Sequence, residues 1–113
     1  MIKIYHNNRC RKSRSGLEVL EKSGKDFEVV KYLENIPSAN ELKHIIKLLN
    51  IKPIELVRKN EAVWKEHFKN KELTDSEIVS AMVKYPKLIE RPIIINGNKA
   101  VIGRPTERIA SIL

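Results

Sequence analysis

The sequence predicts an α/β fold in which a helical insertion interrupts a sheet. Three observations predict it. Residues 2–33 read as strand, turn, helix, strand; residues 38–86 carry helical periodicity and helix-start signals but no strand pattern; residues 92–102 hold two strand-forming runs around a tight turn. A length of 113 residues fits one domain, which at this size buries a core without disulfide or metal staples. The balance of 42% hydrophobic and 32% charged residues is that of a globular chain rather than a disordered one.

Residues 2–6, Ile-Lys-Ile-Tyr-His, alternate apolar and polar side chains as a strand does, and Asn7-Asn8 breaks the pattern. After Cys10, residues Ser13, Gly16, Leu17 and Leu20 recur at helical spacing until Ser23-Gly24 stops them. Residues 27–33 are rich in strand formers, so the opening is a β-α-β unit with Cys10 at its first turn. Ser38 and Glu41 form a capping box before an apolar stripe at Leu42, Ile45, Ile46 and Leu49, which Asn50 ends. Pro53 suits the first turn of another helix carrying Ile54, Leu56 and Val57. A further amphipathic piece holds Trp64 and Phe68, and Thr74 with Glu77 repeats the capping box before Ile78, Val79, Ala81 and Met82. Pro92 to Ile95 then runs into Asn96-Gly97, a strong hairpin signal, and Lys99 to Ile102 returns. Pro105 opens a last helix with Ile109, Ile112 and Leu113 on its apolar side. The expected organisation is one domain over residues 1–113, with a core of 1–36 and 87–113 and a helical insertion of 37–86.

The single cysteine excludes an internal disulfide and a self-contained dithiol cycle, so any redox turnover draws a second thiol from outside. No apolar run is long enough to span a bilayer and no charged-then-apolar leader opens the chain, which points to a cytoplasmic protein without membrane contact. A net charge of +8 favours an anionic partner. Aromatic content of 5% argues against a nucleic-acid partner bound by base stacking, and no nucleic-acid motif is present.

Cys10 stands where a strand ends and a helix begins. Helix-start N–H groups are unpaired and the helix dipole favours negative charge there, so both a thiolate and a bound oxyanion are stabilised. Arg9, Arg11, Lys12 and Arg14 add positive charge. These influences lower a thiol pKa and raise the fraction of nucleophile. Free cysteines are more often small buried hydrophobes, but charged neighbours on both sides suit a reactive thiolate better. Ser13, one helical turn on, offers a hydroxyl that would donate to the sulfur. His6 either hydrogen-bonds nearby backbone or helps set the thiol's charge state. A tyrosine-phosphatase loop needs arginine six positions after the cysteine, where Gly16 stands, and a C-x-x-C motif needs a second cysteine where Ser13 stands. His6, His44 and His67 are far apart and complete no zinc pattern with one cysteine.

An oxyanion with several oxygens calls for several donors, and arginine offers a rigid fork. Arg91 and Arg104 each precede a proline, which holds their backbones extended. Arg91-Pro92, entering a strand, is a candidate cis peptide. Arg58 follows Ile54, Leu56 and Val57 at a helix end and by itself reads as a surface charge.

The chain resembles the arsenate reductase family that shares a fold and signature with the Spx regulators, and its ending resembles the short, YfgD-like branch. The landmarks are Tyr5-His6-Asn7, Arg9-Cys10 with Ser13, Tyr32-Leu33-Glu34 followed by Pro37, Leu56 to Asn60, Pro86 to Ile93, and Ile102 to Pro105. The resemblance implies a thioredoxin-like fold with a helical insertion. It implies Cys10 as the nucleophile, Arg58, Arg91 and Arg104 as oxyanion-binding arginines, His6 and Ser13 as residues that tune the thiol, and Pro92 as the cis-proline of the fold. It implies reduction of arsenate to arsenite with glutathione as co-substrate, glutaredoxin as partner and no bound cofactor or metal. The family commonly has proline where Asn8 stands and small or neutral residues where Arg11 and Lys12 stand. Two alternatives are an Spx-like regulator binding RNA polymerase, which ranks second because Ser13 replaces the second cysteine of its redox switch, and a thiol reductase of the same fold with another substrate.

Overall fold

A computed structural model describes residues Met1–Leu113. The chain divides into two compact units, residues 1–35 with 91–113 and residues 36–90. These bounds differ by one residue and by four from those drawn on the sequence, because Lys87 to Glu90 pack within the helical unit.

The first unit is organised around β1 (Ile2–Tyr5), where Ile2, Ile4 and Tyr5 are buried and Lys3 is exposed. Helix α1 (Arg11–Ser23) follows, and Gly24 ends it at φ 73°, a conformation glycine adopts without a Cβ penalty. Strand β2 (Phe27–Val30) pairs parallel with β1, Ile2 opposite Phe27. Strand β3 (Ile93–Asn96) pairs antiparallel on the other side of β1, Ile2 opposite Asn96, and β4 (Lys99–Ile102) pairs antiparallel with β3. The sheet order is β2-β1-β3-β4. Ile2, Ile4 and Ile94 meet Leu20 of α1 and Ile109 and Ile112 in one apolar cluster. This mixed sheet with its helical cover is a thioredoxin-like α/β arrangement.

Three local expectations change. The second strand stops at Val30 rather than running to residue 33, because Glu34 and Asn35 both donate their N–H to the Lys31 carbonyl and close a turn. The hairpin loop is Gly97-Asn98, since Asn96 still pairs with Lys99. Only Gly97 has positive φ, 64°, the pattern of a II′ turn with glycine first rather than of an Asn-Gly I′ turn. The last helix is a 3-10 helix over Thr106–Ile112; its repeat of three residues puts Ile109 and Ile112 in line, and both are buried.

The second unit is helical. Helix α2 (Ala39–Leu49) is capped by Ser38, whose hydroxyl accepts the Glu41 N–H at 3.1 Å, and ends at Asn50 with φ 55°. A 3-10 turn, Pro53–Leu56, precedes α3 (Ala62–His67). Helix α4 (Asp75–Lys84) opens on a full capping box: Glu77 N–H donates to Thr74 Oγ1 at 3.2 Å and Thr74 N–H to Glu77 Oε1 at 2.9 Å. Leu42, Ile45, Leu56, Val79 and Met82 are fully buried in this unit. A second 3-10 turn, Pro86–Leu88, leads to one β-bridge between Val57 and Ile89. Val57 lies within the segment expected to be wholly helical, whereas Ile89 lies just beyond it.

Candidate active site

Cys10 is the N-cap of α1, with φ −96° and ψ 121°, the last residue before the backbone turns helical. The cap position is usually filled by an oxygen-bearing side chain that answers the first free N–H groups. Here a sulfur stands in that place. No short capping hydrogen bond forms on it. The backbone N–H groups of Ser13 and Lys12 nevertheless favour its anion.

Cys10 is buried, at 8% exposure. Burial by itself raises a thiol pKa. The Ser13 N–H, the Arg91 guanidinium, the Lys12 N–H and the Arg104 guanidinium outweigh it and hold Cys10 below the ordinary thiol value. The two arginines come from the far end of the sequence. Arg104 Nη2 donates to Cys10 Sγ at 3.4 Å, while its Nε donates to the Arg91 carbonyl at 2.8 Å. One planar guanidinium thus spans the sulfur and the backbone that carries the other arginine.

The peptide bonds Arg91-Pro92 and Arg104-Pro105 are both cis, the first as expected and the second without a sequence signal that singled it out. The Pro92 carbonyl accepts the Gly103 N–H at 2.8 Å. Gly16 and Gly103 face the Pro92 ring. A Cβ on Gly16 would lie 2.9 Å from Pro92 Cγ, and one on Gly103 would lie 3.0 Å from the same atom. Both positions therefore need the absence of a side chain to let α1 and the end of β4 close on Pro92. In the sequence Gly16 serves the helical spacing after Cys10 and excludes a phosphatase loop, without marking this approach. Its signal was available: a glycine within a helix costs about 1 kcal/mol against alanine and marks a close approach.

The basic residues beside Cys10 do less than their positions suggested. Arg9, Arg11, Lys12 and Arg14 are exposed, and Arg14 donates Nη1 to the Asn8 carbonyl at 2.8 Å. The charges that lower the thiol pKa are Arg91 and Arg104 instead.

Ser13 is also used differently. Its hydroxyl does not reach the sulfur; it lies 2.7 Å from His6 Nδ1 and accepts the Asn7 N–H at 2.9 Å. Burial lowers the His6 pKa and keeps the imidazole neutral, with Lys31 and Arg14 adding to the effect against a hydrogen bond to the Asn8 side chain. A neutral ring can accept the Ser13 O–H hydrogen bond at Nδ1, which leaves the hydroxyl oxygen free to accept the Asn7 N–H. Asn7 extends the frame. Its Oδ1 accepts the Arg9 N–H and its carbonyl accepts the Cys10 N–H, each at 3.0 Å. The His6 ring and the Ser13 hydroxyl thus hold the loop that carries Cys10, and Ser13 acts on the thiol through its backbone N–H alone. Asn7, which reads in the sequence as a plain turn residue, is the link.

Arg58 belongs to the helical unit. Its Nη1 pairs with Glu61 Oε1 at 2.8 Å and donates to the Lys87 carbonyl at 3.3 Å, while its N–H donates to the Leu88 carbonyl.

Comparison with known proteins finds relatives along nearly the whole chain. Residues 5–112 match the model of the ArsC family. YfgD of Escherichia coli K12, a protein without an assigned activity, is 42% identical over 99% of this chain and 96% of its own length. An arsenate reductase of Neisseria meningitidis serogroup A is 40% identical over 99% and 97%. The solved structure of an arsenate reductase from Vibrio cholerae superposes with a TM-score of 0.94 at 40% identity, covering 99% of this chain and 97% of that one. A lone thiol at a helix start, lowered by two arginines from Arg-Pro junctions, sits within that match, and the chain belongs to the ArsC family.

Proposed function

We propose that this protein reduces arsenate to arsenite, with the Cys10 thiolate as nucleophile. The observation that carries the reading is the guanidinium of Arg104 on Sγ, with Arg91 beside it, lowering the thiol pKa where an oxyanion would bind. Relatives of nearly equal length that bear the name arsenate reductase support it.

In this reading the Sγ thiolate attacks arsenic, and the displaced arsenate hydroxyl takes a proton from solvent and leaves as water, forming a Cys10–arsenate adduct. Arg91 and Arg104 hold the equatorial oxygens and stabilise their charge. Arg58 enters as a third oxyanion ligand through the family resemblance, and its pairing with Glu61 must be exchanged for the substrate. The thiolate of glutathione then attacks Sγ. The sulfur–arsenic bond breaks with its electron pair going to arsenic, which leaves as arsenite, and a Cys10–glutathione disulfide remains. Glutaredoxin takes the glutathionyl group and returns the thiol. No second cysteine is needed in the chain, which has one. A reaction that draws on glutathione and glutaredoxin suits the cytoplasm.

The test is arsenate-dependent NADPH oxidation with glutathione, glutathione reductase and glutaredoxin. Turnover by the wild type and none by Cys10→Ser is expected. Equal rates would refute the proposal.

A further inference from the structure

A groove of about 240 Å³ opens on the first unit between the loop leading to Cys10 and the turn that ends β2. Its walls are Asn7, Asn8 and Arg9 on one side and Lys31, Leu33 and Glu34 on the other, with His6 between. The turn hydrogen bond from Glu34 N–H to the Lys31 carbonyl, 3.0 Å, fixes the spacing of the second wall. Leu33 is 38% exposed, a large apolar side chain left open to the groove. Arg9, Lys31 and Glu34 are exposed, and no ion pair joins the carboxylate to either cation. The groove therefore presents two separate positive charges, one negative charge, two side-chain amides and one apolar contact.

That set complements a small peptide with two carboxylates and one ammonium. Glutathione has this charge pattern, and its thiol is the reductant assigned above. The groove begins at the residue preceding Cys10, on the side of the loop lined by Lys31 rather than through the Arg91–Arg104 junctions. We propose that this groove seats glutathione, Arg9 and Lys31 taking its two carboxylates and Glu34 its ammonium, so that the peptide is bound on one wall of the Cys10 loop while the arginines hold the oxyanion on the other. The inference rests on the reading of glutathione as co-substrate but not on the identity of the oxyanion.

The test titrates the full-length ¹⁵N-labelled protein with S-methylglutathione, which cannot react, and follows amide shifts. Saturable shifts concentrated at residues 7–9 and 31–34 are expected. Lys31→Glu and Glu34→Lys should each weaken binding about fivefold, the size of one exposed charge contact. In turnover they should raise the KM for glutathione by the same factor and leave the KM for arsenate in place. Shifts elsewhere, or none, together with unchanged glutathione KM in both variants, would overturn the groove while leaving arsenate reduction standing. Shifts at the groove without arsenate turnover would uphold the groove and reject arsenate as the substrate.

Discussion

Two sets of cations compete to explain the reactivity of Cys10, and they differ in how far along the chain they lie. Arg9, Arg11, Lys12 and Arg14 are its neighbours in sequence, and all are exposed to solvent, where charge is screened within roughly 10 Å. Arg91 and Arg104 are remote in sequence and half-buried, and Arg104 is held at the sulfur by its bond to the Arg91 carbonyl. A charge acts through its distance and its surroundings, not its sequence position. The near set adds positive charge to the surface; the far set lowers the thiol pKa.

The largest effect that would break this comparison comes from the far set. Arg104→Met should raise the Cys10 pKa and lower kcat/KM for arsenate by about a hundredfold or more, the size of losing one preorganised donor. Arg91→Met should act in the same direction. Thiolate ultraviolet absorbance against pH gives the first readout, and an unmoved titration curve would return the role to the near set.

Next in size is the frame. Ser13→Ala strands the Asn7 N–H and His6 Nδ1, at a cost of about 1–3 kcal/mol in urea denaturation. The thiol titration should move far less than in Arg104→Met, because the hydroxyl faces away from the sulfur. Gly16→Ala sets two terms against each other. Alanine gains about 1 kcal/mol of helix propensity, whereas the contact at 2.9 Å with Pro92 costs roughly 1–3 kcal/mol as overpacking. A net loss of about 1 kcal/mol is expected, and a stabilised variant would show that the proline ring yields.

The pH dependence has a definite sign. His6 has a lowered pKa in the folded state, so the unfolded chain binds more protons and stability falls as pH drops below about 6.5. Cys10 also has a lowered pKa, so its contribution is present above the unfolded thiol pKa of about 8.5 and is lost as pH falls through the lower folded value. Both make stability rise with pH. Cys10→Ser should flatten the alkaline part of a denaturation series and His6→Asn the acidic part.

The smallest effect belongs to the near set. Arg11→Gln with Lys12→Gln should shift the thiol pKa by less than about half a unit, and added salt should erase the difference. A shift matching that of Arg104→Met would overturn the ranking.

Much of the architecture was legible because its signals are local. The Ser38 cap, the Thr74–Glu77 box, the Asn50 stop and the first strand–helix turn each depend on residues a few positions apart. The strand after α1 was overextended because Tyr32 and Leu33 look like strand formers while the turn at Lys31 is made by backbone hydrogen bonds that side chains do not announce. The site was legible in part. Cys10 was marked by its place at a helix start, but the orientation of the Ser13 hydroxyl and the packing of Gly16 on Pro92 depend on tertiary approach. Arg91 and Arg104 were marked by the prolines that follow them, whereas only the family resemblance pointed to Arg58.

The separation of 94 residues between Arg104 and Cys10 also orders events at the ribosome. Synthesis delivers the thiol among the first residues and its activating charges among the last. β1 gains its antiparallel neighbour only after Asn96 has been added, so the sheet closes late as well. A nascent chain therefore carries an ordinary, mostly protonated cysteine. Completion of the fold is what lowers the thiol pKa, so the unfinished chain offers oxidants and electrophiles a poorer target.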